Sequence, residues 1–333
     1  MIITGREHTL SAPRAQFRVT RKGSKPIKFP ALLVRQFIVG AEVEVTSDAI
    51  QAAMLSEIPM TFVDAVGGLV GHVLGPVRHD VSVRCAQYAA WFDAGMRLKI
   101  ARRILGAKIH NSIVVLQRFR KNHPDFDCRE AVATLRAMAE RLNEGGDMDT
   151  LRGMEGLAAR TYFQRFGGML LKGFTFNGRN RQPPLDPVNA MLSFGYTLFS
   201  RELATVAEAL GLDPYLGFLH EPKPGRPSLA LDLVEPLRAA VVDRFVLRLA
   251  NLEQIQPHHF SIIPEPNLAV YLNSEGRRIF LLALDEWLRS SQEEITTELW
   301  CPRSQSEAEV SNFKTALLGG TLDEWQPFHL PEI

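Results

Sequence analysis

One stretch of the sequence, from Leu219 to Arg238, combines a histidine and two acids at spacings that suit metal-ion chemistry. His220 precedes a proline-rich loop, and Asp232 and Glu235 follow in a segment that is mostly apolar. Because a helix turns by about 100° per residue, acids three positions apart share one face. Carboxylates on a buried helix repel each other and lose hydration, so they need a proton, a basic partner or a cation. With the histidine they would form a mixed nitrogen and oxygen site for a divalent metal.

The same stretch also fits a purely structural arrangement. In that alternative, one of the two acids forms an internal salt bridge with Arg226 or Arg238, and His220 is a core histidine with satisfied hydrogen bonds. The stretch alone leaves both interpretations open.

The elements that position these side chains follow from the prolines and the apolar spacing. Three prolines stiffen the loop after His220, and a helix is predicted to begin near Ser228. Positions 229–249 are mostly apolar, which predicts a buried helix with a kink at Pro236.

A further acid lies between two glycines on a predicted helix. In the sequence GMEGLAARTYF, Gly153 and Gly156 flank Glu155. Glycine within a helix costs about 1 kcal/mol relative to alanine, so something is expected to approach the backbone closely there. Glu155 could equally be an exposed charge paired with Arg152 or Arg160.

Polar residues continue in the next loop and helix. Arg179 and Arg181 lie in a proline-rich loop, and the helix predicted over 188–210 carries Asn189 and Tyr196 on one face. This stripe either satisfies neighbouring groups or faces the metal site.

The chain has 333 residues, of which 46% are hydrophobic and 23% charged, as in a soluble protein of two domains. Its 38 Lys and Arg residues balance 37 Asp and Glu residues, so any basic surface has to be local. One basic cluster, from Arg97 to Lys121 and including Lys108, spans two predicted helices, over 81–105 and from Asn111. Such a face is either solvated or follows a phosphate backbone.

The three cysteines, Cys85, Cys128 and Cys301, are widely separated and form no CxxC pair. This pattern favours reduced thiols and excludes a zinc knuckle of ordinary spacing, and no role is assigned to them. The sequence contains neither an amino-terminal signal pattern nor a run of about 18 apolar residues, so we expect a cytoplasmic protein.

The predicted fold class is α+β. Residues 1–76 contain short strand patterns between turn residues, which predicts a small β domain, and Gly75 and Pro76 mark its end. Residues 77–333 carry long amphipathic patterns, which predict a larger all-helical catalytic domain with a polar tail from Ser290.

Three motifs occur in one order along the chain. They are GMEGLAARTYF around Glu155, RQPPLDPVNAMLSFGYTLF from Arg181 to Phe199, and GFLHEPKPGRPSLALDLVEPLR from Gly217 to Arg238. Together they resemble the CRISPR-associated adaptation endonuclease and integrase, the universal subunit that inserts new spacers into a CRISPR array. The β-rich start and helical body also fit that family, so the resemblance covers almost the whole chain.

The resemblance implies a metal site built from distant segments. By motif match its ligands are Glu155, His220 and Glu235, with Asp232 as an additional acid that tunes the site or helps with proton transfer. The third ligand is aspartate in some relatives and glutamate here, and both supply hard oxygen donors. A nitrogen ligand beside carboxylates suits Mn²⁺, and Mg²⁺ is the alternative.

The resemblance also implies a function and partners. The activity is a metal-dependent DNA endonuclease and integrase that joins the 3′ ends of a short duplex to a CRISPR repeat by transesterification. The partners are double-stranded DNA, a second copy bound through the β domain, and a small adaptation protein that bridges dimers. The candidate DNA-binding residues are Arg179, Arg181, Asn189, Tyr196, Arg226 and Arg238.

Two other functions remain open from the residues alone. A catalytically silent DNA-binding scaffold would bind duplexes with a steep salt dependence and yield no metal-dependent product. A metal-dependent phosphohydrolase would act on mononucleotides and need no duplex ends.

Overall fold

The computed structural model describes residues 1–34, 36–63, 69–73, 75, 81–142, 144–264, 268–290, 292–293 and 299–332. The chain divides into two compact units, Met1–His79 and Asp80–Ile333. Pro76, at the predicted boundary, lies outside the described residues.

The amino-terminal unit contains short strands in two four-stranded sheets and one helix, α1, Ser47–Leu55. The strands are β1 Ile2–Ile3, β2 His8–Ser11, β3 Phe17–Arg21, β4 Ile27–Phe29, β5 Phe37–Gly40, β6 Glu44–Val45, β7 Met60–Val63 and β8 Leu69–Val73. One sheet has the order β1-β5-β7-β8, and the other has the order β4-β3-β2-β6. The β-rich amino-terminal part is confirmed.

Aromatic side chains fill the core of this unit. Phe17 and Phe37 are fully buried, with ring centroids 4.9 Å apart, and Phe29 stacks on Phe17 at 6.0 Å. Phe17 faces inward while its neighbours along β3 are partly exposed, as strand alternation requires. Ala49 and Ala53 form the buried face of α1.

The carboxy-terminal unit is mostly helical, as predicted. Its helices are α2 Val81–Phe92, α3 Ala94–Asn122, α4 Arg129–Arg141, α5 Met148–Phe166, α6 Pro187–Ala209, α7 Ser228–Val234, α8 Arg244–Asn251, α9 Ser274–Arg289 and α10 Pro302–Gly319. The domain is not all-helical, because two short antiparallel pairs accompany the helices. They are β9 Phe260–Ile263 with β10 Ala269–Leu272, and β11 Gln292–Glu293 with β12 Leu299–Trp300.

The break between the first two helices of this unit lies earlier than predicted. The pattern placed it between residue 105 and Asn111, but the chain breaks at Asp93. The Asp93 carboxylate accepts the backbone N–H of Met96 at 2.9 Å and so caps α3. Helix α3 then continues through Asn111 for 29 residues and buries Ile100 and Ile104 in the core.

The helix predicted near Ser228 begins at that residue, and the α-helical hydrogen bonding changes at the turn that contains Pro236, where a kink was predicted. A 3-10 turn, Glu235–Leu237, and a π-helical turn, Ala239–Asp243, separate α7 from α8. Proline lacks an N–H group and cannot continue the α-helical hydrogen bonding, which accounts for the change of pitch. The change places Glu235 at the start of the turn.

The segment after Ser290, predicted as a polar tail, contains α10 and contributes to the core. Val310 and Phe313 on α10 are fully buried, and Trp325 and Leu330 beyond it are nearly so. Many polar residues lie between these positions, so the segment reads as polar although α10 buries one face.

None of the helices described above has the unbroken apolar length that a bilayer crossing requires. Cys85, Cys128 and Cys301 carry free thiols.

Candidate active site

Four side chains from separate elements meet in the carboxy-terminal unit. Lys108 lies on α3, Glu155 on α5, His220 in the loop before α7, and Glu235 at the start of the 3-10 turn. The Lys108 ammonium lies 2.6 Å from Glu155 Oε1 and 2.7 Å from Glu235 Oε2. His220 Nε2 lies 3.9 Å from Glu235 Oε1. The three residues that the motifs imply as ligands therefore belong to one cluster, in which Lys108 contacts both glutamates and His220 lies near Glu235.

Lys108 is the member of this group that the sequence analysis did not recognise. It was counted with a basic cluster on a helix surface, whereas it is 9% exposed. The signal was present, since Lys108 interrupts the run ILGAKI, whose Ile104, Leu105 and Ile109 are all buried. A lysine at such a position needs a partner, which the two carboxylates supply.

Asp232 orients the histidine. Its carboxylate is fully buried and accepts His220 Nδ1–H at 2.7 Å. It also accepts the backbone N–H groups of Phe218, Leu219 and His220 at 2.5, 2.9 and 2.9 Å. These bonds use both oxygens of Asp232 and leave the other imidazole nitrogen facing Glu235. Asp232 thus fixes the orientation of His220, one of the three candidate ligands.

The loop that carries His220 closes tightly at Gly217. A Cβ atom on Gly217 would lie 2.7 Å from the carbonyl oxygen of His220 and 2.7 Å from Ser228 Cβ. The Ser228 hydroxyl donates to the carbonyl oxygen of Glu221 at 3.0 Å, which joins the loop to the first residue of α7. Glycine is therefore required for the close approach of these two segments.

Charges around Glu235 keep its buried side chain ionised. Glu235 is 1% exposed, and burial alone would raise its pKa. Arg238 at 2.7 Å, Lys108 and His220 outweigh that effect and hold the pKa well below its usual range. For His220, burial acts in the opposite direction and lowers the pKa. The hydrogen bond to Asp232 and the nearby carboxylates outweigh this effect, so the pKa of His220 is raised overall.

Two of the alternatives left open by the sequence can now be compared with the structure. The salt bridge between Glu235 and Arg238 is present, and it coexists with the cluster instead of replacing it. Glu155 pairs with Lys108, while Arg152 bonds to Asp149 and contacts Glu221.

The donor set fits a divalent metal. Within the described residues, no group of three or more His, Cys, Asp or Glu side chains is already arranged around a metal position, because Lys108 lies between the two carboxylates. Glu235 Oε2 lies near the ammonium yet makes no hydrogen bond of acceptable geometry with any described group. A buried carboxylate oxygen without a hydrogen bond, a second carboxylate and an imidazole nitrogen are suitable donors for Mn²⁺.

Asn189 organises the loop before α6 instead of facing a ligand. It is fully buried, and its amide donates to Gly178 O at 2.9 Å and Asp186 Oδ2 at 2.6 Å. Its oxygen accepts from Arg179 at 2.8 Å and from the backbone of Asn180 at 3.0 Å. Asn189 is fully enclosed by these partners, and its contact with DNA stays a prediction.

The four candidate arginines differ in their surroundings. Arg179, Arg181 and Arg238 line one small cavity together with Lys108. The Arg238 guanidinium lies over the Tyr196 ring, 4.4 Å from its centroid. Arg181 is exposed to solvent.

The fourth arginine, Arg226, belongs to a separate basic group. Its guanidinium bonds to the carbonyl oxygen of Glu221 and to Ser228 Oγ. The Glu221 carboxylate accepts from Arg97 at 2.8 Å and also from Arg152. Three arginines therefore surround the residue that follows His220 in the chain.

Polar groups in the cavity have little contact with solvent. Tyr196 donates its hydroxyl hydrogen to Asp243, and burial raises the pKa of Asp243 to about 6. The Tyr162 hydroxyl is buried with no hydrogen-bond partner among the described residues. Tyr196, 8% exposed, therefore supports Arg238 from beneath rather than facing outward.

The backbone beside Glu155 is open. A Cβ atom added at Gly153 or Gly156 would meet no described atom within 4 Å outside the helix itself. The close approach expected at these glycines is therefore not made by any described part of the chain.

The fold is shared with several solved structures. A casposase bound to an integration product superposes with a TM-score of 0.83 at 23% identity and covers 100% of this chain and 94% of its own. A complex described as Cas6-RT-Cas1–Cas2 gives a TM-score of 0.79 at 21% identity over 99% of this chain and 36% of its own. At these identities the likeness concerns the fold.

Sequence similarity identifies the family. The family model described as CRISPR associated protein Cas1 matches residues 1–286. A Rhodospirillum rubrum protein described as CRISPR-associated endonuclease Cas1 2 is 36% identical over 312 residues, which cover 90% of this chain and 89% of the relative. The chain belongs to the Cas1 family, as the three motifs predicted.

Proposed function

We propose that this chain is a metal-dependent DNA endonuclease and integrase that acts in the adaptation stage of CRISPR antiviral defence. In this proposal it joins the 3′-hydroxyl ends of a short DNA duplex to a CRISPR repeat by transesterification, and it can also hydrolyse phosphodiester bonds. Membership of the Cas1 family and a relative described as an endonuclease support the proposal. The fold shared with a casposase bound to an integration product supports it further.

One observation carries the assignment of the site. The carboxylates of Glu155 and Glu235, 80 positions apart in the numbering, contact the same ammonium group at 2.6 and 2.7 Å, and an imidazole nitrogen lies 3.9 Å from one of them. Two carboxylates this close together need a cation, which Lys108 supplies here and a divalent ion would supply in the proposed active state.

Glu155, His220 and Glu235 would hold the divalent ion, which is Mn²⁺ or Mg²⁺. A bound divalent ion neutralises charge on a phosphodiester oxygen and lowers the pKa of a hydroxyl group. Asp232 keeps the imidazole turned so that Nε2 is available. Arg238 balances the charge of Glu235.

The surroundings of the site suit a DNA backbone. Arg181 and Arg238 line a cavity beside the cluster, and guanidinium groups bind phosphate well. The open backbone at Gly153 and Gly156 leaves room for a strand to pass close to Glu155. These features favour a polymeric substrate over a mononucleotide.

The proposal includes two protein partners. A second copy would bind through the β domain, where Ile27, Leu32 and Leu33 are 67%, 94% and 75% exposed. A small adaptation protein, as in the Cas1–Cas2 complex that shares the fold, would bridge the dimers.

Strand transfer of a duplex with free 3′-hydroxyl ends into repeat DNA tests the proposal. We expect the wild type to require Mn²⁺ or Mg²⁺, and the variants Glu155→Ala, His220→Ala and Glu235→Ala to lose at least about 100-fold in rate, because each removes a donor from the site. Glu140→Ala, an exposed acid on α4, is the matched control and should keep full activity.

Folding of each variant is checked by circular dichroism and thermal melting. Full strand transfer by all three variants would contradict the site assignment. Duplex binding without any metal-dependent product would identify a silent scaffold, and turnover of mononucleotides would identify a phosphohydrolase.

A further inference from the structure

Lys108 occupies the space between the carboxylates that the proposed function assigns to the metal. We propose that the Lys108 ammonium is a built-in counter-ion that holds the metal-free site together, and that a divalent ion binds by displacing it. The inference rests on the proposed metal site and concerns a residue that none of the three motifs contains.

The first argument concerns burial. Lys108 is 9% exposed, and it follows the buried residues Ile104, Leu105 and Ala107 on α3. A charged amine is stable there only if opposite charges replace its lost hydration. The carboxylates of Glu155 and Glu235 do so, which makes the position of the ammonium depend on the two acids.

The second argument is that a divalent ion and the Lys108 ammonium cannot occupy the same place. Divalent ions bind carboxylate oxygens at about 2 Å, so an ion on the same two oxygens would lie within a few ångströms of an ammonium that stayed at 2.6 and 2.7 Å from them. Positive charges this close repel strongly in a buried site. The ion and the ammonium therefore compete for one place.

The third argument distinguishes Lys108 from Arg238, the other cation on Glu235. Arg238 lies over the Tyr196 ring at 4.4 Å and bonds to Glu235 Oε1 at 2.7 Å, so its planar group is fixed from two sides. Lysine is a point charge on a flexible four-carbon stem and can move away without disturbing the helix. Lys108 also lines the neighbouring cavity.

Direct binding of Mn²⁺ tests the proposal without any measurement of activity. Metal-free wild type and Lys108→Met protein are titrated with Mn²⁺, and the free ion is counted by electron paramagnetic resonance. We expect the Kd of Lys108→Met to be about tenfold lower, since the ion no longer has to displace an internal cation. Lys99→Met removes an exposed lysine from the same helix and should leave the Kd unchanged.

Thermal melting provides a second readout. In the presence of a chelator, Lys108→Met should melt at a lower temperature than wild type because the two acids have lost their shared counter-ion. Added Mn²⁺ should then raise its Tm by more than it raises that of the wild type. Lys108→Gln, which retains a donor group, serves in both measurements if the methionine variant does not fold.

The outcomes separate this inference from the proposed function. If wild type binds Mn²⁺ in a manner that requires Glu235, but the Lys108 variants bind it equally or more weakly, the inference is overturned and the metal site stands. If neither wild type nor the Lys108 variants bind Mn²⁺ through Glu235, the inference and the proposed metal site are both overturned.

Discussion

At the scale of single residues, Asp232 differs from Glu155 and Glu235 in that it holds the loop of His220 in place. All of its described hydrogen bonds come from N–H groups of the loop that carries His220. A carboxylate that holds the far nitrogen of a ligating histidine fixes the ring and increases its basicity. The proposed metal site would therefore depend on Asp232, although both of its oxygens already accept hydrogen bonds.

Asp232→Asn tests this dependence. The amide has only one acceptor oxygen and turns its NH₂ group toward N–H donors, so the loop loses bonds and the imidazole loses its orientation. We expect Mn²⁺ affinity to fall about 10- to 100-fold and Tm to decrease. Asp125→Asn, at an exposed loop position, is the control. An unchanged Mn²⁺ affinity would contradict the positioning role.

The motifs of the sequence located Glu155, His220 and Glu235 correctly as neighbours, but they could not locate Lys108. The three motifs resemble a family whose metal site joins these residues, and the structure does place them in one cluster. The place of Lys108 depends on which face of α3 is enclosed, and that is decided by tertiary packing rather than by local charge.

At the scale of elements, helix α5 carries the candidate ligand Glu155 between two glycines that the packing of the helix does not require. Gly153 and Gly156 have open space beside them, whereas a Cβ on Gly195 of α6 would lie 2.8 Å from Val242 Cγ1. Glycine therefore serves two different purposes in the helices of this domain. On α6 it allows close packing, and on α5 it leaves the helix surface open.

Alanine substitutions distinguish these reasons. Gly153→Ala and Gly156→Ala should each stabilise the protein by up to about 1 kcal/mol in urea unfolding, because alanine favours the helix. If a DNA strand passes there, the same variants should weaken duplex binding in a filter-binding or anisotropy assay. Gly195→Ala, the matched helical glycine, should instead destabilise the protein through its clash with Val242. Stabilisation with undiminished DNA affinity would count against a strand at α5.

Element types were easier to predict than their limits and pairings. The helix start at Ser228 followed from the prolines before it, and the end of regular α-helical bonding followed from Pro236. The break at Asp93 depended on a single capping side chain within a continuous apolar pattern. The order of strands in the two sheets, with β1 parallel to β5, arises from long-range pairing that no local pattern encodes.

At the scale of the whole molecule, the segment after α10 returns to the helix that carries Lys108. Asn111 on α3 accepts the backbone N–H of Leu330 at 2.7 Å and donates to Phe328 O at 2.8 Å. The same amide donates to Pro236 O at 2.6 Å, in the turn that begins with Glu235. One buried side chain thus connects the carboxy-terminal segment to the site.

Two leucines test whether this segment is part of the core. Leu330 is 1% exposed and Leu318 is 48% exposed. Leu330→Ala should lower the free energy of unfolding by about 2–4 kcal/mol, and Leu318→Ala by less than about 1 kcal/mol, as measured in urea. Equal effects would mean that the segment contributes little to stability.

The bridge made by Asn111 also bears on how the domain matures during translation. Leu330 follows Asn111 by 219 residues. At about 5–20 residues per second, a ribosome needs roughly 10 to 45 s to synthesise the intervening chain. During that interval Asn111 cannot complete its bonds to Phe328 and Leu330, so the side chain that also holds Pro236 is only partly fixed. Nuclease competence should therefore arise late, after the polypeptide has been made well beyond the last of its proposed ligands.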